Sequence, residues 1–255
     1  MKTPHSLIIG GTRGLGRVMA RKFSQQGHRV SVIARNVPTG KQPRGVHISA
    51  VDLTQQNALR SSLKNIVKNG GRLTNLVFCQ RYRGQGDPWE EELAVSLTAT
   101  RNVIDLLADR FDRSSGGSIV VVSSIAAHAI TDSQPLGYHV VKAGLSQLVR
   151  YYAYTLGPKH IRVNSVAPAT FMKEESSAFY LGNKPLQSLY RDIIPLGRMG
   201  TTDDVANVIS FLCGPQAAFL TGQTIVVDGG LSLLWPESLA RRLALGDETP
   251  GGKKR

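Results

Sequence analysis

Tyr138 and Lys142 lie four residues apart in the run Tyr138-His139-Val140-Val141-Lys142. A helix through them sets a phenol and an ammonium on one face. A cation beside a phenol stabilises the phenolate, which suits Tyr138 to work as a general acid or base. Most Tyr-x-x-x-Lys pairs are surface coincidences, and a third residue lifts this one above them. Ser124 ends the apolar run Ile119-Val120-Val121-Val122-Ser123-Ser124. Reactive groups of open parallel sheets gather beyond the carboxyl ends of strands. Ser124 and Tyr138 are thereby placed to flank one carbonyl.

A second constellation opens the chain. Gly10-Gly11-Thr12-Arg13-Gly14-Leu15-Gly16 stands between a short apolar run at 6–9 and a stretch with helical spacing at Val18, Met19 and Phe23. Strand, glycine turn and helix together are the context for a dinucleotide site. The glycines allow a tight turn and let the backbone approach a pyrophosphate. The new helix offers free N–H groups and the positive end of its dipole. Arg13 adds a full charge where a ribose would lie. A glycine-rich turn without a ligand is the plain alternative, and the residues further along the chain count against it.

The elements that must position these groups alternate. Strands are expected at 6–10, 29–34, 46–50, 75–79, 118–123, 161–166 and 224–227, with helices near 15–26, 55–68, 89–111, 138–156 and 202–213. The strands are apolar without alternation, as strands covered on both faces are. Repeated strand–helix units imply an α/β fold with a parallel sheet and right-handed crossovers. No internal linker is visible, so one doubly wound domain of seven mainly parallel strands is expected over 1–235. Residues 169–198 are too long for a bare connection and read as a loop covering substrate, with short helices. Residues 236–255 read as a C-terminal extension whose end, from Gly246, is disordered.

Of 255 residues, 31 are Lys or Arg and 18 are Asp or Glu, a formal charge of +13. Residues 1–51 hold nine of the cations and no acid, Asp52 being the first. That field favours a polyanionic ligand. Nucleic acid is the other use of such charge, but no motif for it and no interleaving of aromatic and basic residues appears. No run approaches the ~20 apolar residues of a membrane span, and no signal-peptide pattern is present. Cys79 and Cys213 stand in no metal spacing, so no metal is expected. A cytoplasmic protein with reduced thiols is the simplest reading.

These residues in this order resemble the short-chain dehydrogenase/reductase family of the classical type, over nearly the whole chain. The 10–16 turn, Asp52-Leu53, Ser124, Tyr138 with Lys142, and Ile161-Arg162-Val163-Asn164 leading to Pro168 all match. So do Pro195-Leu196-Gly197-Arg198 and Thr221-Gly222 through Asp228-Gly229-Gly230. Ketoacyl–acyl carrier protein reductases are the nearest general pattern. The resemblance implies that Tyr138 gives a proton to a carbonyl oxygen as a nicotinamide hydride reaches the carbon. Lys142 would support Tyr138 and bind the nicotinamide ribose, and Ser124 would hold the oxygen. Gly10, Thr12, Gly14, Leu15 and Gly16 would line the pyrophosphate and adenosine side, and Asp52 and Leu53 would meet the adenine. Cys79 and Pro168 would border the cofactor. Where an acid after the second strand would select the ribose 2′-hydroxyl, this chain has Ala34-Arg35-Asn36, with Arg13 across the turn. Two guanidinium groups favour a 2′-phosphate, hence NADP(H).

The chain departs from the family pattern at three places. Asn-Asn-Ala-Gly after the fourth strand is here Phe78-Cys79-Gln80-Arg81, which leaves Arg81 and Arg83 open to either the active-site mouth or solvent. The position of a catalytic Asn holds Ser96, which is assigned a weaker catalytic role. The span from Ser124 to Tyr138 is one residue longer than the family spacing, Pro-Gly becomes Pro168-Ala169, and Lys173 replaces a cofactor-contacting Thr. His128, Gln134 and the 173–190 loop are expected to shape the substrate pocket. The reading is an NADP(H)-dependent oxidoreductase of a small polar or anionic carbonyl/alcohol pair, forming a homotetramer or dimer. A 3-oxoacyl–acyl carrier protein reductase is one alternative, and a catalytically weak NADP(H)-binding regulatory or interaction protein is another.

Overall fold

The computed structural model describes residues 3–39, 45–84, 88–112, 114 and 116–245. In chain order its elements begin β1 (His5–Ile9), α1 (Gly14–Gln25), β2 (Arg29–Ala34), β3 (Val46–Ala50), α2 (Gln56–Gly70) and β4 (Asn75–Phe78). One long helix follows in three parts: α3 (Trp89–Glu92), a wide π turn (Leu93–Thr98) and α4 (Ala99–Leu107). Then come β5 (Gly117–Val122), α5 (Leu136–Leu156), β6 (Ile161–Pro168), β7 (Phe171–Met172), α6 (Ser177–Gly182) and α7 (Lys184–Ile193). The chain closes with β8 (Gly200–Thr201), α8 (Thr202–Cys213), β9 (Thr224–Val227) and α9 (Pro236–Leu245).

Seven strands form one parallel sheet in the order β3-β2-β1-β4-β5-β6-β9, and β7 pairs with β8 apart from it. Alternate side chains divide the core between the two faces. Leu7, Ile9, Leu76, Phe78, Ile119 and Val121 pack with Leu59, Leu63, Ile104, Val141 and Leu145 of α2, α4 and α5. Ile8, Val77 and Val120 pack with Met19, Phe23, Val205 and Ile209 of α1 and α8. Each strand is therefore covered twice, which is why the sequence shows apolar runs rather than alternation.

The sheet order reverses between β1 and β4, and a crevice opens there beyond the carboxyl ends. The two strand ends approach so closely that a side chain at Gly10, whose φ is +82°, would come within 2.7 Å of the Gln80 backbone nitrogen. The expected elements are all present, with three adjustments. The helix at 89–111 ends at Leu107 and is broken by the wide turn. α5 begins at Leu136, so Tyr138 already lies in its first turn. The 169–198 segment holds β7, α6 and α7. Residues 246–255, read from sequence as a disordered tail, lie outside the described residues. Among the described residues no helix is long and apolar enough to cross a membrane.

Candidate active site

A cavity of about 470 Å³ opens over the carboxyl ends of β1, β4, β5 and β6. The α1 turn gives it Arg13, Gly14, Leu15 and Gly16, and the segment after β4 gives Cys79, Gln80, Arg81 and Arg83. Ser124, Tyr138, Lys142 and Pro168 line it with Gln134 and Lys173. A second cavity of about 550 Å³ continues it over β2, lined by Gly10, Thr12, Arg13, Arg35, Asp52 and Leu53. The two share Arg13, Cys79, Gln80, Arg81 and Arg83. Every site residue read from the sequence therefore lines one cleft, apart from Ser96. His128, expected on the pocket wall, is exposed and is not among the lining residues. The short helical turn after Ser124 carries it outward, whereas Gln134 lines the wall as expected.

Ser124 caps that turn, its Oγ accepting the Ala126 N–H at 3.2 Å. Pro135 lets α5 start at once, and His139 ties its first turn to the preceding loop. The Thr131 N–H donates to His139 Nε2 at 2.9 Å, so Nδ1 carries the proton donated to the Pro135 carbonyl at 3.0 Å. This bracing fixes where Tyr138 stands. Lys142 is 3% exposed and donates to the Val122 carbonyl at 3.0 Å. Burial pushes its pKa down to about 8, Arg81 and Lys173 push the same way, and Glu92 and Cys79 oppose them. Two cations stand over the Tyr138 ring, Lys142 Nζ at 5.3 Å and Arg81 Cζ at 5.2 Å from its centroid. Cys79 is held as a neutral thiol, burial pushing its pKa up to about 12.

Ser96 sits in the wide turn, 1% exposed, and its hydroxyl donates to Glu92 at 2.9 Å. Ser96 is not among the residues lining the cleft, and its hydroxyl is taken up by Glu92 one helical turn back. Glu92 escaped the sequence reading. Its signal was there: Glu92, Ser96, Ala99 and Val103 share one helical stripe, all four buried.

The cleft fits a nicotinamide dinucleotide. The first turn of α1 has no side-chain cap and no acidic residue, leaving its N–H groups for an anion. Gln80 donates to Thr100 Oγ1 at 2.8 Å, while its Oε1 is buried beside the cleft without a hydrogen-bond partner among the described residues. Asp52 accepts from the Thr54 N–H and hydroxyl, which hold its pKa below the usual carboxylate range, with Arg35 adding to this. The 174–176 segment reaches the same turn. Glu174 pairs with Arg17, and the Glu175 carboxylate lies 3.5 Å from where a Gly14 Cβ would be.

Residues 10–232 match the sequence pattern of a family described as "Enoyl-(Acyl carrier protein) reductase". The chain belongs to the short-chain dehydrogenase/reductase family. Among relatives of this dehydrogenase/reductase, isoepoxydon dehydrogenase of Penicillium expansum is 30% identical over 91% of this chain and 95% of its own. The 3-oxoacyl-[acyl-carrier-protein] reductase of Aquifex aeolicus is 31% identical over 89% and 96%. The aldohexose dehydrogenase of Thermoplasma acidophilum superposes with a TM-score of 0.81 at 25% identity, over 92% of this chain and 96% of that one. Members of the family are oxidoreductases that bind a nicotinamide cofactor, NAD+ in one solved neighbour and NADPH in another. In this dehydrogenase/reductase the Tyr138–Lys142 pair and the glycine turn face that one cleft.

Proposed function

We propose that this protein is an NADP(H)-dependent oxidoreductase that interconverts a small polar or anionic carbonyl compound and its alcohol. The observation that carries the reading is the shared cavity of Ser124, Tyr138 and Lys142 with the glycine turn. When bound, the cofactor supplies or accepts the hydride. Ser124 holds the carbonyl oxygen by its hydroxyl and steadies the charge that develops there. Tyr138 gives that oxygen its phenolic proton and takes it back in the reverse direction. Lys142 keeps a positive charge near the phenol and turns its remaining N–H groups toward the ribose.

The glycine turn, with Gly10, Thr12, Gly14, Leu15 and Gly16, receives the pyrophosphate, and Asp52 and Leu53 receive the adenine, with Cys79 and Pro168 along the edge. Arg13 and Arg35 share the second cavity and suit a 2′-phosphate. Arg81, Arg83 and Lys173 line the first cavity and favour an anionic group on the substrate. The names of the isoepoxydon and aldohexose relatives support a small oxygenated substrate. The acyl-carrier-protein relative and the basic surface support the 3-oxoacyl alternative. The two free cysteines suit a cytoplasmic location. Exposed Tyr151 and Tyr154 on α5 and exposed Leu233 and Trp235 after β9 support a homo-oligomer, dimer or tetramer, of a single domain over 1–235.

The test is NADPH consumption across a panel of neutral and anionic ketones and aldehydes. Tyr138→Phe is expected to abolish turnover and keep NADPH binding. Binding with no turnover on any substrate would favour the regulatory reading. Arg35→Asp is expected to weaken NADPH far more than NADH in fluorescence titration. Equal weakening of the two would reject the phosphate assignment.

A further inference from the structure

The mechanism above leaves one buried carboxylate unused. Glu92, 2% exposed, ends α3 just before the wide turn. Within that turn the Ser96 hydroxyl donates to the carboxylate, four residues back, at 2.9 Å. Glu92 lies against the start of α5. A Cβ added to Gly137 would stand 3.3 Å from the Trp89 Cα and 3.7 Å from the Glu92 Cβ. Gly137 immediately precedes Tyr138, and Lys142 follows one turn later. A buried carboxylate is costly unless donors and a cation meet it. Ser96 is a donor, and Lys142 is the buried cation on the facing helix, with one of its N–H groups on the Val122 carbonyl.

We propose that Glu92, held by Ser96 in the wide turn, is a positioning residue that keeps Lys142 charged beside Tyr138. The groups facing the Lys142 ammonium are few. Arg81 and Lys173 repel it, Cys79 weakly favours its charge, and Glu92 is the foremost group favouring it. The Tyr138 ring lies alongside. Without Glu92, burial and two neighbouring cations would act against the Lys142 charge with their main counterweight gone, and its proton would be held less tightly. A neutral amine would leave the developing phenolate unsupported. The consequence for turnover rests on the reading of Tyr138 and Lys142 given above, whereas the coupling of Glu92 to Lys142 does not.

The test uses the intact protein with isotope-labelled lysine, the Lys142 signal being assigned by its loss in Lys142→Met. The wild-type midpoint is expected near pH 8. Glu92→Gln is expected to lower it by about one pH unit, and Glu92→Asp to recover part of the shift. An unmoved midpoint in folded Glu92→Gln overturns the proposal. If that variant does not fold, labelled glutamate in the wild type decides. The Glu92 signal must then inflect at the Lys142 midpoint, and a flat response there overturns the proposal. Turnover is read separately, so a protein that reduces no carbonyl would sink the proposed function and leave the measured coupling standing.

Discussion

Arg81 is the residue on which the proposed anionic substrate class most depends. Its guanidinium stands 5.2 Å from the Tyr138 ring centroid and donates to Gln134 Oε1 and to the Tyr82 carbonyl, each at 3.4 Å. These contacts are long, and the group retains donors for an incoming anion. Its position in sequence left it free to face either the cleft or solvent, and the fold brings it inside. A charge-assisted hydrogen bond is worth about 1.5–3 kcal/mol. Arg81→Met is therefore expected to raise KM roughly tenfold or more for a carboxylate- or phosphate-bearing carbonyl compound, and to change little for a neutral one. Steady-state kinetics on such a pair checks this. Equal losses on both substrates would mean that Arg81 does not read the anion.

Among the elements, the segment between β6 and α8 bears most directly on binding. Its 174–176 turn brings two carboxylates to the uncapped start of α1, one paired with Arg17 and one beside Gly14. A pyrophosphate arriving at that start meets negative charge. Glu175→Gln is expected to tighten NADPH roughly three- to tenfold in fluorescence titration, by removing like-charge repulsion at the turn. Weaker binding would show instead that this carboxylate holds the segment in place. The wide turn after α3 is the other element with a consequence. Within it the Ser96 hydroxyl meets Glu92 four residues back, on the face the two would share in a regular helix as well.

For the molecule as a whole, the end of the sheet opposite the cleft sets a limit at low pH. His5 begins β1 at 1% exposure, its Nδ1 donating to the Gly71 carbonyl at 3.0 Å and its Nε2 accepting from Ser31 Oγ at 2.9 Å. His28 stacks on Phe23 with ring centroids 5.0 Å apart and meets Ser6 Oγ at 2.8 Å. Burial holds both pKa values below the ordinary 6.5. Below pH 6.5 the unfolded chain takes up protons that the native fold refuses. Stability is therefore full above 6.5 and declines from there toward the lowered native values. Denaturant titration is expected to show a loss of about 1–2 kcal/mol between pH 6.5 and 5, with a shallower decline in His5→Asn. An unchanged slope in that variant would assign the acid sensitivity elsewhere.

The sequence alone determined the parallel sheet, the glycine turn and the Ser124, Tyr138 and Lys142 trio. Each follows from local rules: apolar runs for strands covered on both faces, glycine where two backbones nearly touch, and four-residue spacing on a helix. Only the tertiary structure decided where Arg81 points, that Ser96 serves a carboxylate rather than the cleft, and that His128 faces out. Those outcomes turn on the course of two loops and the packing of α3 on α5. Such features depend on contacts between segments distant in the chain, and no local pattern encodes them. Glu92 shows the boundary most plainly. Helical spacing puts it on one stripe with Ser96, Ala99 and Val103, but only the fold sets that stripe in the interior and packs Glu92 against the start of the helix of Tyr138 and Lys142.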